Sequence, residues 1–134
     1  MPNPPLPSDY TLRNRVHLIH GGTDYFHAVV KMIREATIFI HLQTYIYDED
    51  ETGRMVADEL IEAAQRGVKV YVLVDGYASR NLSEAFIQSM EVSGIQFRYF
   101  EPIWRSKHYY FGRRLHHKIL VADGTVSLVG GINI

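Results

Sequence analysis

Apolar runs of strand length alternate along this chain with segments of helical periodicity, and this alternation constrains the fold more than any other feature. Three runs, at residues 37–47, 68–74 and 95–100, are rich in β-branched and aromatic residues, as buried strands are. Between them, apolar residues recur at the spacing of one helix face. Strands separated by helices of this length predict an α/β domain in which the strands pair largely in parallel.

The pattern changes near the C-terminus, where two strand-like runs lie close together in sequence. Residues 115–122 and 125–129 are separated by Asp123 and Gly124, and an Asp-Gly pair between such runs is a strong hairpin signal. We therefore expect an α/β fold with a mixed sheet, helices on both of its faces and an antiparallel C-terminal hairpin. A further short strand is expected at residues 16–19.

Length and composition fit one globular domain. The chain has 134 residues, of which 46% are hydrophobic and 22% are charged. Residues 1–14 are rich in proline and lack the apolar core of a secretory signal, so we interpret them as a flexible arm before one domain at residues 15–134. No run of apolar residues is long enough to span a membrane. The absence of cysteine excludes disulfides, a thiolate nucleophile and cysteine-ligated zinc.

Residues 102–122 contain no acidic side chain, although the whole chain has a net charge of −1. The segment contains five lysines and arginines and three histidines, interleaved with Trp104 and three further aromatic residues. Such a local concentration of positive charge indicates a site for phosphate or another anion, and a solvated loop is the alternative. The aromatic side chains suit a lipid interface and equally suit stacking on nucleobases.

The strand expected at the end of this segment orders its charged side chains. Residues two apart on a strand point the same way, so His116 and Lys118 share one face and His117 points to the other. An imidazole beside a fixed cation can attack or protonate a phosphoryl group. Asp123 has the opposite parity and lies at the hairpin turn, which favours a turn-forming or supporting role. A zinc site built from His108, His116 and His117 is disfavoured because adjacent strand residues diverge.

These residues resemble a known motif. The pattern His116-x-Lys118-x4-Asp123 resembles the H-x-K-x4-D motif of the phospholipase D superfamily, and residues 130–133 look like the Gly-Gly-x-Asn element that follows it. The wider chain is similar to the first half of bacterial cardiolipin synthases of the minor type, which lack N-terminal transmembrane helices. The stretches that carry this similarity are residues 43–47, 64–70, 74–77 and 94–100.

The resemblance implies a mechanism that needs no metal and no cofactor. In the family, a motif histidine attacks a phosphodiester and forms a phosphohistidine, and a histidine from a second motif protonates the leaving alcohol. An acceptor alcohol or water then releases the phosphoryl group. By this resemblance the catalytic residues are His116, Lys118 and Asp123, with His116 as the nucleophile or the acid/base partner and Asp123 in a supporting role. Lys118, Gly131 and Asn133 bind the substrate phosphate.

The chain departs from the family pattern because it carries one motif, whereas family catalysis needs two. The sequence ends in an apolar, glycine-paired segment, so we expect a longer parent protein in which this domain is the first of two. The second half-site would come from that parent or from a second copy of the chain. Gln43 also departs from the family, which often has glutamate there, and we interpret it as a hydrogen-bonded core amide.

Three functions follow from these observations. The leading one is a phosphatidyl transferase of the cardiolipin synthase type, which acts on phosphatidylglycerol-like lipids as a peripheral protein on the cytoplasmic side of the cell membrane. The alternative is a single-motif homodimeric endonuclease or phosphodiesterase, in which case nucleic acid is a partner, although the net charge of −1 disfavours it. A non-catalytic relative is disfavoured because folding does not require the trio of His116, Lys118 and Asn133.

Overall fold

A computed structural model describes residues 14–101 and 114–134. In chain order its elements are α1 (Gly22–Glu35), β1 (Phe39–Thr44), α2 (Glu51–Gln65), β2 (Lys69–Asp75), α3 (Glu84–Val92), β3 (Gln96–Phe100), β4 (Lys118–Ala122) and β5 (Val126–Val129). The strands form one sheet in the order β3-β2-β1-β4-β5.

The sheet is mixed, which confirms the predicted class. β1 pairs in parallel with β2, and β2 with β3, while β4 runs antiparallel to its two neighbours, β1 and β5. Asp123, Gly124 and Thr125 join β4 to β5, and the first two have the positive φ angles, 55° and 67°, that a tight hairpin turn of this kind requires. Thr44 lies opposite Lys118, so the amino end of β4 lies beside the carboxyl end of β1.

Within the described residues the helices cover one face of the sheet, which corrects the expectation of helices on both faces. Along β1 the side chains of Ile40, Leu42 and Thr44 are buried, whereas that of His41 is exposed. The crossovers that contain α2 and α3 proceed in the same direction across the sheet, and crossovers of one hand then leave both helices on the same side. α1 packs against α2 in the same layer.

The expected strand at residues 16–19 does not form. Val16 and Leu18 are 91% and 73% exposed, and this segment pairs with none of the described strands, so no partner stabilises an extended conformation there. Most of the proposed arm, residues 1–13, and the aromatic part of the basic segment, residues 102–113, lie outside the described residues. In the part of the chain that is described, no helix combines the length and hydropathy needed to cross a membrane.

The loops at the carboxyl ends of β1 and β2 are fixed by the helices that follow them. Asp50 caps α2 by accepting a hydrogen bond from the Gly53 N–H, and Ser83 caps α3 by accepting one from the Phe86 N–H. The carboxylate of Glu49 accepts a hydrogen bond from the Ser83 N–H and so joins one loop to the other. The edge of the sheet that carries these loops is therefore well ordered by local bonds.

Candidate active site

Two of the three motif residues, His116 and Lys118, come together where the carboxyl end of β1 lies beside the amino end of β4. Open α/β sheets bind their ligands outside the carboxyl ends of parallel strands. Lys118 is the first residue of β4, and His116 lies two residues before it at this edge. Both residues therefore stand at the position in the fold where a ligand is expected.

Lys118 and His116 form the centre of this site. Lys118 is only 6% exposed, and its Nζ lies 3.5 Å from each ring nitrogen of His116 and 3.5 Å from the His116 carbonyl oxygen. The ring centroid of Tyr45 lies 4.8 Å from that of His116 and 5.2 Å from the Lys118 Nζ. His116 itself is exposed, so a substrate can reach the imidazole from solvent.

In the described part of the chain, no acidic side chain balances the charge of Lys118. None of the ion pairs within residues 14–101 and 114–134 includes it. A buried ammonium without a counter-ion is unfavourable, and the face of the Tyr45 ring offsets only part of that cost. A bound anion would offset more, and Lys118 Nζ would then hold it beside the His116 imidazole. The geometry therefore suits a phosphate group.

His117 lies on the opposite side of the strand from this centre. Its Nδ1 is 3.1 Å from Oε1 of Gln43 on β1. This bond confirms the expected hydrogen bond of the Gln43 amide, but Gln43 is half-buried and does not lie in the core as expected. The alternation of side chains thus separates two adjacent histidines, and of the two only His116 lies beside Lys118.

The Gly-Gly-x-Asn segment returns to the same edge of the sheet. The Gly130 N–H donates to the Lys118 carbonyl oxygen at 3.1 Å, and Oδ1 of Asn133 accepts a hydrogen bond from the Ile46 N–H at 3.2 Å. Gly131 is exposed, and a Cβ atom built on it would have no neighbour within 4 Å. The segment therefore lies next to Lys118, with Asn133 held against the loop that carries Tyr45.

Asp123 lies at the far end of β4, about 17 Å along the strand from Lys118 by the usual rise per residue. Its carboxylate accepts hydrogen bonds from the backbone N–H groups of Thr37, Ile38 and Phe39 and from the Thr37 hydroxyl. These backbone hydrogen bonds lower the pKa of Asp123 to about 2. The structure therefore does not bring Asp123 together with His116 and Lys118.

Asp75, the last residue of β2, has a part in the site that the sequence analysis missed. It is fully buried, and its carboxylate accepts hydrogen bonds from the N–H groups of Tyr77, Ala78 and Leu115. Leu115 directly precedes His116, so this carboxylate fixes the backbone that presents the imidazole. A carboxylate directly after a buried apolar strand was the available signal.

Ser79 links the same loop to Tyr45 and was also missed. Its hydroxyl, fully buried, donates to the Tyr45 carbonyl oxygen at 3.1 Å and accepts from the Tyr47 N–H at 3.0 Å. Asp75 and the loop after β2 therefore position two neighbouring parts of the site. One is the backbone of Tyr45, and the other is the backbone that precedes His116. Serine at this position carries no distinctive pattern in the sequence.

Known proteins share sequence with most of this chain. Cardiolipin synthase B from Escherichia coli strain K12 is 41% identical over an alignment of 126 residues, and the match covers 90% of this chain and 30% of that protein. Cardiolipin synthase 1 from Bacillus cereus is 37% identical over an alignment of 125 residues, and the match covers 91% of this chain and 24% of that protein. The chain thus spans about a third or less of the length of these relatives.

Solved structures share the fold at lower identity. Nuc from Salmonella typhimurium, a phospholipase D family member, has a TM-score of 0.59 and 23% identity over 80% of this chain and 62% of its own. NucT from Helicobacter pylori has a TM-score of 0.64 and 18% identity over 83% and 67%. The family model described as cardiolipin synthase, phospholipase D-like domain, matches residues 29–134. The chain therefore belongs to the phospholipase D-like domain family of the cardiolipin synthases.

Proposed function

We propose that this chain supplies one phosphohistidine half-site of a phosphatidyl transferase of the cardiolipin synthase type. The observation that carries the proposal is the buried Lys118 ammonium, which has no described carboxylate partner and lies 3.5 Å from both ring nitrogens of the exposed His116. An imidazole beside a cation that has no counter-ion among the described residues suits a phosphodiester better than any neutral substrate.

The relatives support a lipid substrate over a nucleic acid. Identity to cardiolipin synthase B reaches 41% over nine tenths of the chain, whereas the fold neighbours Nuc and NucT are 23% and 18% identical. A net charge of −1 is also unusual for a protein that follows a nucleic-acid backbone. The homodimeric phosphodiesterase is therefore the second candidate, favoured only by the shared fold.

The proposed reaction has two steps. A ring nitrogen of His116 attacks the phosphorus of a phosphatidylglycerol-like donor, so that a P–N bond forms and the P–O bond to the leaving glycerol breaks. The leaving oxygen takes its proton from the histidine of the second half-site. In the second step an acceptor hydroxyl forms a new P–O bond, the P–N bond breaks with its electron pair returning to the imidazole, and the hydroxyl proton passes to that second histidine.

Each residue of the half-site has a proposed role in these steps. Lys118 and the side-chain amide of Asn133 stabilise negative charge on the non-bridging phosphate oxygens, and the exposed backbone at Gly131 leaves room for the phosphate. Asp123 acts at a distance, by anchoring the hairpin that carries Lys118. The second half-site comes from a parent chain or a second copy, and the assembled enzyme works at the cytoplasmic membrane surface as a peripheral protein.

The first experiment measures which substrate the full-length protein containing this sequence turns over. Mixed micelles of phosphatidylglycerol should give cardiolipin and free glycerol at the same rate with and without excess EDTA. A DNA oligonucleotide supplied in the same assay should stay intact. Cleavage of DNA without cardiolipin formation would contradict the proposed transferase function and favour the phosphodiesterase. Loss of activity in EDTA that added zinc restores would overturn the metal-independent mechanism.

His116 and His117 provide a matched pair of variants for the same assay. His116→Ala should reduce transfer by at least three orders of magnitude, because the nucleophile is lost. His117→Ala removes an identical side chain one residue away and should keep most of the activity. Reactions stopped with denaturant at mildly alkaline pH, where the P–N bond survives, should contain labelled phosphohistidine in wild type and His117→Ala and none in His116→Ala. Equal losses from the two variants would contradict the assignment.

A further inference from the structure

A second group of positive charge surrounds Tyr77, beside the His116 site. The Cζ atom of Arg80 lies 4.5 Å from the centroid of the Tyr77 ring, and that of Arg114 lies 4.8 Å from the same centroid. The two guanidinium carbons are therefore at most about 9 Å apart. Tyr77 is 40% exposed, Arg80 is exposed and Arg114 is half-buried, so a ligand can reach the group from solvent.

These charges are not neutralised by the described part of the chain. Neither Arg80 nor Arg114 belongs to an ion pair within residues 14–101 and 114–134. Two like charges at this separation repel, and one aromatic ring shared between them offsets only part of the repulsion. Guanidinium groups present planar pairs of donors that match the oxygens of a phosphate. A phosphate anion is therefore the ligand class that fits this group.

The group is held in a fixed relation to the His116 site. One oxygen of the Asp75 carboxylate accepts from the Tyr77 N–H at 3.0 Å, and the other accepts from the Leu115 N–H at 2.9 Å. Only Leu115 separates Arg114 from His116 in the chain. The Cα atoms of Arg114 and His116 are therefore no more than about 7 Å apart. Arg80 is fixed by a hydrogen bond from its guanidinium to the Tyr77 carbonyl oxygen.

We infer that Arg80 and Arg114, placed by Tyr77, bind the phosphodiester group of the acceptor phospholipid. This identification of the ligand rests on the proposed transferase function. There, the acceptor carries its own phosphate, one three-carbon glycerol unit away from the hydroxyl that attacks the phosphohistidine. Water and free glycerol lack that phosphate, so the second site favours transfer to a lipid over hydrolysis.

The test compares two acceptors in the full-length protein. Labelled glycerol exchanged into phosphatidylglycerol reports the chemistry at His116 with an acceptor that has no phosphate. Cardiolipin formation in detergent micelles reports the phosphate-bearing acceptor. In Arg80→Gln, the KM for acceptor phosphatidylglycerol should rise about tenfold or more, as expected for the loss of a charge-assisted hydrogen bond, while glycerol exchange stays within about twofold of wild type. Arg114→Gln should show the same split.

Arg98→Gln is the matched control, because Arg98 is an exposed arginine on β3 and its loss changes the net charge equally. It should leave both reactions unchanged. Equal losses of exchange and cardiolipin formation in Arg80→Gln would overturn the inference by assigning the arginine to the His116 site. Weaker binding to anionic vesicles with an unchanged KM in micelles would overturn it in favour of a membrane-surface contact. A wild-type protein that exchanges glycerol but forms no cardiolipin would contradict the acceptor site, whereas one that does neither would contradict the proposed function itself.

Discussion

The charged side chains at the two ends of β4 differ in how the surrounding structure compensates their charge. At the amino end, the Lys118 ammonium is buried beside the exposed His116 and has no described carboxylate partner. At the carboxyl end, the Asp123 carboxylate accepts hydrogen bonds from three backbone N–H groups and one hydroxyl. The ammonium of Lys118 is available to a ligand, whereas the carboxylate of Asp123 is stabilised by hydrogen bonds within the domain. Residues of one short motif can thus be divided between a binding site and a structural anchor.

Of the changes that compare the two ends of β4, replacing Lys118 should give the largest effect, and it should lower activity without lowering stability. Lys118→Met in the full-length protein should lower kcat/KM for cardiolipin formation by about 10²–10³, because a positive charge at the developing phosphoryl charge is lost. The free energy of unfolding should stay the same or increase, since a buried unpaired charge is replaced by an apolar side chain of similar length. Initial rates and urea unfolding measure the two quantities. A variant that unfolds, or one with normal rates, would contradict this view of the amino end.

Asp75 should combine both kinds of effect at an intermediate size. Asp75→Asn keeps one acceptor oxygen, so at least one of the N–H groups of Tyr77, Ala78 and Leu115 loses its buried partner. Such a loss costs about 1–3 kcal/mol of stability, and a looser Leu115 should lower kcat about tenfold by misplacing His116. Asp58→Asn on the exposed side of α2 is the control with the same charge change. If kcat falls no further than in that control, Asp75 only stabilises the fold.

Much of the fold and the centre of the site could be predicted from the sequence. The alternating strand and helix patterns gave the mixed sheet, and the Asp-Gly pair gave the hairpin. The spacing of His116 and Lys118 gave their shared face, because strand alternation is a local property. The sheet class, the hairpin and the shared face all depend on patterns among residues close in sequence, and such patterns can be recognised without the structure.

What could not be predicted depends on partners far apart in the chain. Asp75 meets Leu115 across 40 residues, and Ser79 meets Tyr45 across 34, and neither pairing follows from a local pattern. The helices were expected on both faces because strand composition alone does not reveal which face each crossover covers. The prediction of a strand at residues 16–19 was wrong because the apolar residues there have no sheet neighbour in the described structure.

Removing the anchor at the carboxyl end should have the reverse effect of removing Lys118. Asp123→Ala frees the N–H groups of Thr37, Ile38 and Phe39 and loosens the connection between the hairpin turn and β1. The Tm should fall by a few degrees, while kcat per folded molecule stays within about twofold of wild type. Thermal unfolding and active-site titration of the folded fraction measure the two quantities. Normal stability with a large loss of kcat would instead make Asp123 part of the chemistry.

The smallest effect is a pH dependence that belongs to the carboxyl end alone. Backbone hydrogen bonds lower the pKa of Asp123 to about 2, from a value of 3.8 in the unfolded chain. A depressed pKa means that the carboxylate stabilises the fold fully above the unfolded value and loses this contribution as the pH falls through the folded value. Wild type should therefore exceed Asp123→Asn in stability at about pH 5, and the difference should shrink between about pH 4 and 2. Urea midpoints of the two proteins over this range measure the difference. If the urea midpoints of the two proteins fall in parallel down to about pH 2, the ionised carboxylate is not what holds the hairpin to β1. Asp123 would then not be the charged structural anchor that distinguishes the carboxyl end of β4 from its amino end.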